Sequence, residues 1–185
     1  MRELVKYWRN DGFKIVMYLD DGLGGGKTYS ECWKASKKIK SDLESFGFVI
    51  AHEKCIWEPA QKFTWLGFDW NLIDGLIQLS GKRVVKLKDC LNSLFLQIGC
   101  NMNVLVKVRF LASIVGQIIS AQAVIGDEVR LRTRFSYDCI LAKASWNSLV
   151  VLNREAIAEF EFWLKNIDKL NEKGSELSSV DESYI

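Results

Sequence analysis

The sequence predicts an α+β fold, with antiparallel hairpins and helices over residues 1–80 and a helical stretch after them. Three observations carry this. Short β-branched and aromatic runs at 14–19 and 63–79 are broken by Asp20-Asp21-Gly22 and Ile73-Asp74-Gly75, which is how hairpins read. Apolar residues recur at three- and four-residue steps over 32–46, 84–98 and 157–167, the period of amphipathic helices. The 185 residues are 49% hydrophobic and include seven Trp, enough for a real core and too apolar for a disordered chain.

In chain order, residues 1–11 predict a short helix with Leu4, Val5 and Trp8 on one face, stopped at Gly12. The hairpin at 14–23 follows, with its two carboxylates at or beside a tight turn. Gly24-Gly25-Gly26 gives slack, and Thr28 with Glu31 forms a capping box. Cys32, Ser36, Ile39, Leu43 and Phe46 then mark a helical stripe. The lysines at 34, 37, 38 and 40 lie mainly off it, and Gly47 ends the helix. Residues 48–51 and 55–57 predict extended segments with Glu53-Lys54 near the bend.

A second hairpin is expected over 63–79. Val84, Leu87, Leu91, Leu94 and Ile98 mark the next helix. A long helix is expected over 103–123, where Ala112, Gly116 and Ser120 allow close packing against a neighbour. Gly126 and Asp127 break it. Arg130, Arg132 and Arg134 alternate, which on an extended segment places them on one face. Asn153 caps a last helix carrying Ile157, Phe160, Leu164 and Ile167, and the polar, Ser-rich residues 172–185 read as a frayed tail.

Composition excludes several function classes. One histidine, His52, argues against a His-based triad or a zinc hydrolase, and five widely spaced cysteines with no Cys-x-x-Cys give no zinc signature and fit a reducing compartment. Lys27-Thr28 lacks the spacing of a phosphate loop. No apolar segment follows Met1 and no apolar run is long enough to cross a membrane, so an intracellular location, cytoplasmic or nuclear, without a signal peptide is expected. The net charge of +2 hides a division. Residues 1–80 are neutral, residues 81–143 carry ten Lys/Arg against four Asp/Glu, and residues 144–185 carry four against eight. The basic middle is either a solvated surface or a polyanion-binding face.

The carboxylates Asp20 and Asp21 carry the chemistry. Two carboxylates held close repel unless a cation intervenes, and Mg²⁺ takes few protein ligands and completes its shell with water and phosphate. The other reading is a solvated hairpin tip. Tyr18-Leu19-Asp20-Asp21 resembles the Tyr-x-Asp-Asp polymerase motif of reverse transcriptases. Gly47-Phe48-Val49-Ile50-Ala51-His52-Glu53-Lys54-Cys55 is similar to that family's segment after the palm helix, and Phe63-Thr64-Trp65-Leu66-Gly67-Phe68 resembles its primer grip. Tyr-Leu-Asp-Asp-Gly, Trp-Leu-Gly-Phe and the later Phe160, Phe162 and Trp163 resemble in particular DIRS-like and related retrotransposons.

The resemblance implies a partial reverse-transcriptase palm over 1–80, a basic helical thumb over 81–143, and a tether helix with an acidic tail over 144–185. It implies that Asp20 and Asp21 hold Mg²⁺ (or Mn²⁺), that Lys54 assists departure of pyrophosphate, and that Tyr18, Leu66, Gly67 and Phe68 contact primer or nucleotide. Lys82, Arg83, Lys86, Arg130, Arg132 and Arg134 would contact a primer–template, an RNA/DNA or DNA duplex, and the complete enzyme would take a dNTP. An ordinary exposed turn lysine is the alternative for Lys54.

The family also needs a third carboxylate and fingers from an earlier segment, and it carries an RNase H domain after the tether. Asp11, next to the hairpin in sequence, does not fit the third position. The expectation is therefore a fragment of a retroelement polymerase, inactive alone. A non-catalytic nucleic-acid-binding module and a decayed remnant remain open beside it.

Overall fold

The computed structural model describes residues 1–99 and 105–177. It is α+β with antiparallel sheets, and it resolves into two compact units, Met1–Leu66 and Gly67–Ile185. The borders expected after residues 80 and 143 do not coincide with that division.

In the first unit, α1 (Arg2–Asn10) leads into a hairpin of β1 (Lys14–Tyr18) and β2 (Asp21–Gly25). The two strands pair from Lys14 opposite Gly25 to Tyr18 opposite Asp21. Helix α2 (Tyr29–Ser45) starts as the sequence predicts. The Thr28 hydroxyl accepts from the Glu31 amide at 3.2 Å, and the Glu31 carboxylate reaches back to the Lys27 amide at 2.8 Å. At the other end Gly47 takes φ +80°. The Gly47 amide donates to Glu44 and the Phe48 amide to Leu43, the paired bonds of a Schellman stop.

The core of this unit is Val5, Trp8, Ile15, Ala35 and Ile39, with Leu4, Phe13, Met17, Leu43 and Trp57 packed around it. The buried line of α2 therefore runs through Ala35, Ile39 and Asp42, one step round from the expected stripe, and Phe46 is exposed. Asp42 is buried because it is paired. Trp8 Nε1 donates to it at 2.9 Å and Lys38 Nζ at 2.7 Å. Burial works to raise the Asp42 carboxyl, but those hydrogen bonds and the Lys38 charge override it and leave its pKa below the ordinary value. The hydrogen bond to Asp42 raises Lys38 in turn, against its own desolvation.

Residues 48–51 and 55–57 form no strand. A 3₁₀ turn (His52–Lys54) stands between them, and β3 (Lys62–Trp65) is the next strand of the unit.

The second unit opens with β4 (Phe68–Asn71) and β5 (Leu76–Leu79), paired antiparallel as expected. Helix α3 (Gly81–Ile98) buries all five predicted residues, Val84, Leu87, Leu91, Leu94 and Ile98. The long helix expected over 103–123 is a correction. Residues 100–104, with Cys100 and Asn103, lie outside the described residues. From there β6 (Leu105–Lys107) pairs with β7 (Leu149–Val151), and α4 runs only over Val108–Ile119, followed by α5 (Gln122–Ile125).

The stretch Val108–Ile125 has a mean hydropathy of 1.6 over 18 residues, long and apolar enough to cross a membrane, which the sequence reading missed. Here it breaks at Ser120, and Val108, Leu111, Ile114, Val115, Ile118, Ala121 and Val124 lie in the unit's core cluster. Of Ala112, Gly116 and Ser120, only Ala112 packs, partly buried, against the core. Gly116 and Ser120 are exposed, and a Cβ on Gly116 would meet nothing within 4 Å.

Helices α6 (Glu128–Leu131) and α7 (Arg134–Leu141) replace the extended segment expected for the three arginines. Helix α8 (Arg154–Lys173), capped by Asn153 as predicted, drives Phe160, Trp163 and Ile167 into the core at 0% exposure. Residues 172–177 are not a frayed tail. The chain turns at Gly174 and adds β8 (Ser175–Glu176) to the free edge of β5, and Leu177 bonds Gly75 at 2.7 Å. The Asn171 amide extends that ladder, accepting from the Leu79 amide at 2.7 Å and donating to its carbonyl at 3.0 Å. Residues 178–185 lie outside the described residues.

Candidate functional site

The β1–β2 hairpin builds the candidate site. Strand alternation sends Ile15 and Met17 inward to the first unit's core and leaves Lys14, Val16 and Tyr18 exposed. Asp21 stands opposite Tyr18 and Leu23 opposite Val16, so the outer face carries a carboxylate next to exposed apolar side chains. Asp20 completes the two-residue loop Leu19-Asp20, and both carboxylates are exposed.

Leu19 has φ +54°, whereas Asp20 is not in the positive region. That sign pattern belongs to a type II′ turn, where the first loop residue is normally glycine. A leucine there stores on the order of 1–3 kcal/mol of backbone strain. Leu19 is also 79% exposed, so burial of its own side chain does not compensate. A Cβ on Gly22 would come 2.6 Å from Met17 Sδ, so any larger residue there would displace the end of the Met17 side chain.

Among the described residues, no three His, Cys, Asp or Glu side chains gather into a metal-holding group. The hairpin offers two carboxylates. No family model matches the chain, and no curated protein matches it.

The remaining candidate residues fall in separate places. Lys54 is exposed at the end of the 3₁₀ turn, not on a strand. Leu66 and Gly67 have φ of +51° and +76°, positive at both positions as in a type I′ turn. The chain therefore turns at Leu66-Gly67, between β3 and β4, a break additional to the turn expected at Ile73-Asp74-Gly75.

On α3, Lys82 and Lys86 are exposed and one helical turn apart. Arg83 between them is anchored. Its guanidinium lies 4.6 Å from the Phe68 ring centroid and donates to the Ser120 hydroxyl. Its Cδ lies where a Cβ on Gly67 would be only 2.6 Å away. Burial lowers its pKa from the ordinary value. Arg83, Lys86, Leu79, Leu87 and Gln117 line a shallow cleft of about 240 Å³. The sequence places Ser120 on a helix-packing face rather than beside Arg83, and it does not single out Gln117; only a known neighbour for Arg83 would have put the two here.

The arginine row does not form one face. Arg130 is exposed on α6 and Arg134 on α7. Arg132, at the cap between them, pairs with Glu128 at 2.9 Å and stacks 4.5 Å from the Phe162 centroid. Its carbonyl accepts from Trp163 Nε1 at 2.7 Å. Helical geometry removes the period of two on which the expected face depended.

Proposed function

We propose that the chain is part of a reverse transcriptase, an RNA-directed DNA polymerase of a DIRS-like or related retrotransposon, comprising the second half of the palm, the thumb and the start of the tether. One observation carries the reading: two adjacent carboxylates stand at the tip of a hairpin whose turn holds Leu19 in a strained conformation. Strain of this kind clusters at functional sites, and a solvated hairpin tip has no use for it.

Two exposed carboxylates suit Mg²⁺ (or Mn²⁺), which binds through one or two carboxylates and substrate phosphates. Asp20 and Asp21 would hold it. Such an ion supplies a sharpened 3′-hydroxyl nucleophile and charge stabilisation at the leaving oxygen. Tyr18, on the open face, would pack against the primer end or the nucleotide. The Leu66-Gly67-Phe68 turn would support the primer. Lys54 would donate a proton to departing pyrophosphate, a role for which position comes before pKa. Lys82, Lys86, Arg130 and Arg134 would touch primer–template phosphates, whereas Arg83 and Arg132 are engaged within the second unit and act by holding it. A third carboxylate, fingers and an RNase H domain would come from other segments, in an intracellular setting.

A second reading, a nucleic-acid-binding module without chemistry, draws on the absence of a third metal-capable side chain near the pair among the described residues.

The experiment is a Mn²⁺ titration of the 185-residue protein followed by electron paramagnetic resonance, together with primer extension. One Asp20-dependent ion site and no extension are expected from the chain alone. Fused to a compatible upstream half that carries a strand Asp, it should incorporate nucleotides. Asp20→Asn should abolish this, and Lys54→Leu should lower the maximal rate about ten-fold or more. A folded fusion that binds primer–template without Asp20-dependent incorporation leaves only the binding module.

A further inference from the structure

Two segments of the second unit contain no acidic residue. Residues 90–126 hold Lys107 and Arg109 as their only charged side chains, and residues 139–154 hold Lys143 and Arg154. The fold joins these two segments. β6 pairs with β7, with Lys107 opposite Leu149. The Val108 amide donates to the Ser148 carbonyl at 3.1 Å, and Arg109 Nε donates to Asn147 Oδ1 at 2.9 Å. Ser148 Oγ closes the intervening turn on the Ser145 carbonyl at 2.7 Å.

At the tip of that turn Trp146 stands 52% exposed, with Lys143 Nζ 4.5 Å from its ring centroid. Lys107, opposite Leu149 in the pairing, and Arg109, bonded to Asn147 next to Trp146, are both exposed. The corner thus joins an exposed indole under one cation, Lys143, to Arg109 and Lys107 on the paired segment, with no carboxylate in either segment that builds it. A merely solvated surface usually interleaves both signs, as the ion pairs Lys165–Glu161 and Lys88–Asp168 do elsewhere in this unit.

We propose that the corner formed by Lys107, Arg109, Lys143 and Trp146 binds an unpaired stretch of nucleic acid, the cations pairing with phosphates and the indole stacking on a base. Cationic grooves with aromatic platforms are the general solution for single strands, because every base has a π-face. A bare cation patch would fit any polyanion; the indole favours bases. The choice of polyanion rests on the reading of the chain as a polymerase part. This corner shares no residue with the α3 face assigned above to the duplex.

The test is fluorescence anisotropy of the full 185-residue protein with a labelled oligo(dT) and, separately, a labelled duplex, each across a salt series. Circular dichroism checks that every variant is folded. The wild type should bind oligo(dT) with affinity that falls as salt rises. Lys107→Gln/Arg109→Gln/Lys143→Gln should lower the slope of log K against log salt by about 2, from roughly 0.7 per phosphate contact on single strands. Trp146→Ala should weaken oligo(dT) binding about five-fold or more with the slope unchanged, and Trp146→Phe should restore most of it. Duplex binding should move little in any of these variants.

Retained duplex binding with oligo(dT) binding unaffected by all the variants overturns this inference and leaves the polymerase reading standing. Binding to neither probe defeats both. Binding to phosphatidylserine vesicles that needs these residues, with none to oligo(dT), overturns it in favour of a lipid surface.

Discussion

Replacing Glu159 should undo the start of a helix 23 residues away in sequence. Helix α7 begins at Arg134 without a capping side chain of its own, because the Thr133 hydroxyl is spent on the Val129 carbonyl at 2.7 Å. Glu159, buried on α8, supplies the cap from across the core. Its two oxygens accept from the Phe135 amide at 3.0 Å, the Ser136 amide at 2.8 Å and the Ser136 hydroxyl at 2.5 Å. Those amides are the two an ordinary N-cap residue serves.

Loss of a cap costs about 1 kcal/mol, and loss of a carboxylate at the positive end of a helix costs ~0.3–1 kcal/mol more. The Ser136 hydroxyl, at 0% exposure, is then left without its acceptor, for a further ~1–3 kcal/mol. Glu159→Ala should therefore destabilise by about 3–4 kcal/mol. For a chain of this length that lowers Tm by about 6–16 °C. Glu159→Gln keeps an acceptor oxygen and should lose about half as much. Thermal unfolding gives the total, and amide hydrogen exchange at Phe135 and Ser136 locates it. A loss below about 1 kcal/mol, or unchanged protection of those two amides, refutes the reasoning.

Two further outcomes follow from single residues. The Asp42 pKa is depressed in the fold, so its contribution is present above the ordinary value of 3.8 and is lost as pH falls through the lower folded value. Asp42→Asn should be less stable than wild type at neutral pH, and its stability should fall less steeply below pH 3.8 in denaturant titrations; parallel acid limbs contradict the pairing. Gly116→Ala should stabilise by about 0.5–1 kcal/mol, because a glycine inside a helix with open space at its Cβ position costs backbone entropy and yields no packing. A lower Tm in that variant would show that the Gly116 face is occupied.

Local signals carried the legible part of the fold. The period of α3, the Thr28–Glu31 cap, the Asn153 cap and the glycine stops at 12 and 47 each involve residues within a turn or two of one another, and each appears where the sequence places it. The tip of the β1–β2 hairpin was legible for the same reason. Non-local pairings were not legible. Helix α4 starts late because residues 105–107 are claimed by 149–151, and no property of 103–107 alone announces that partner. Arg130, Arg132 and Arg134 alternate in sequence, but Glu128 and Trp163 hold the middle one in a helical cap. The strain at Leu19 was illegible too, because leucine is the wrong residue for the conformation it adopts.

The seam between β8 and β5 bears on how the molecule reaches its fold. Glu176 lies opposite Leu76, and Gly174 passes so close that a Cβ there would come 2.9 Å from the Ile77 carbonyl. About a hundred residues separate the two sides, so closing that loop from an open chain costs about 4 kcal/mol plus a constant. Two ladder pairs and the Asn171 amide repay little of that on their own. The seam can close only after α3 to α8 have packed and brought its ends together, which makes it a late event in folding. During synthesis Gln78 and Leu79 emerge long before Asn171 and Ser175 exist, and until then the edge of β5 stands open to any other extended strand.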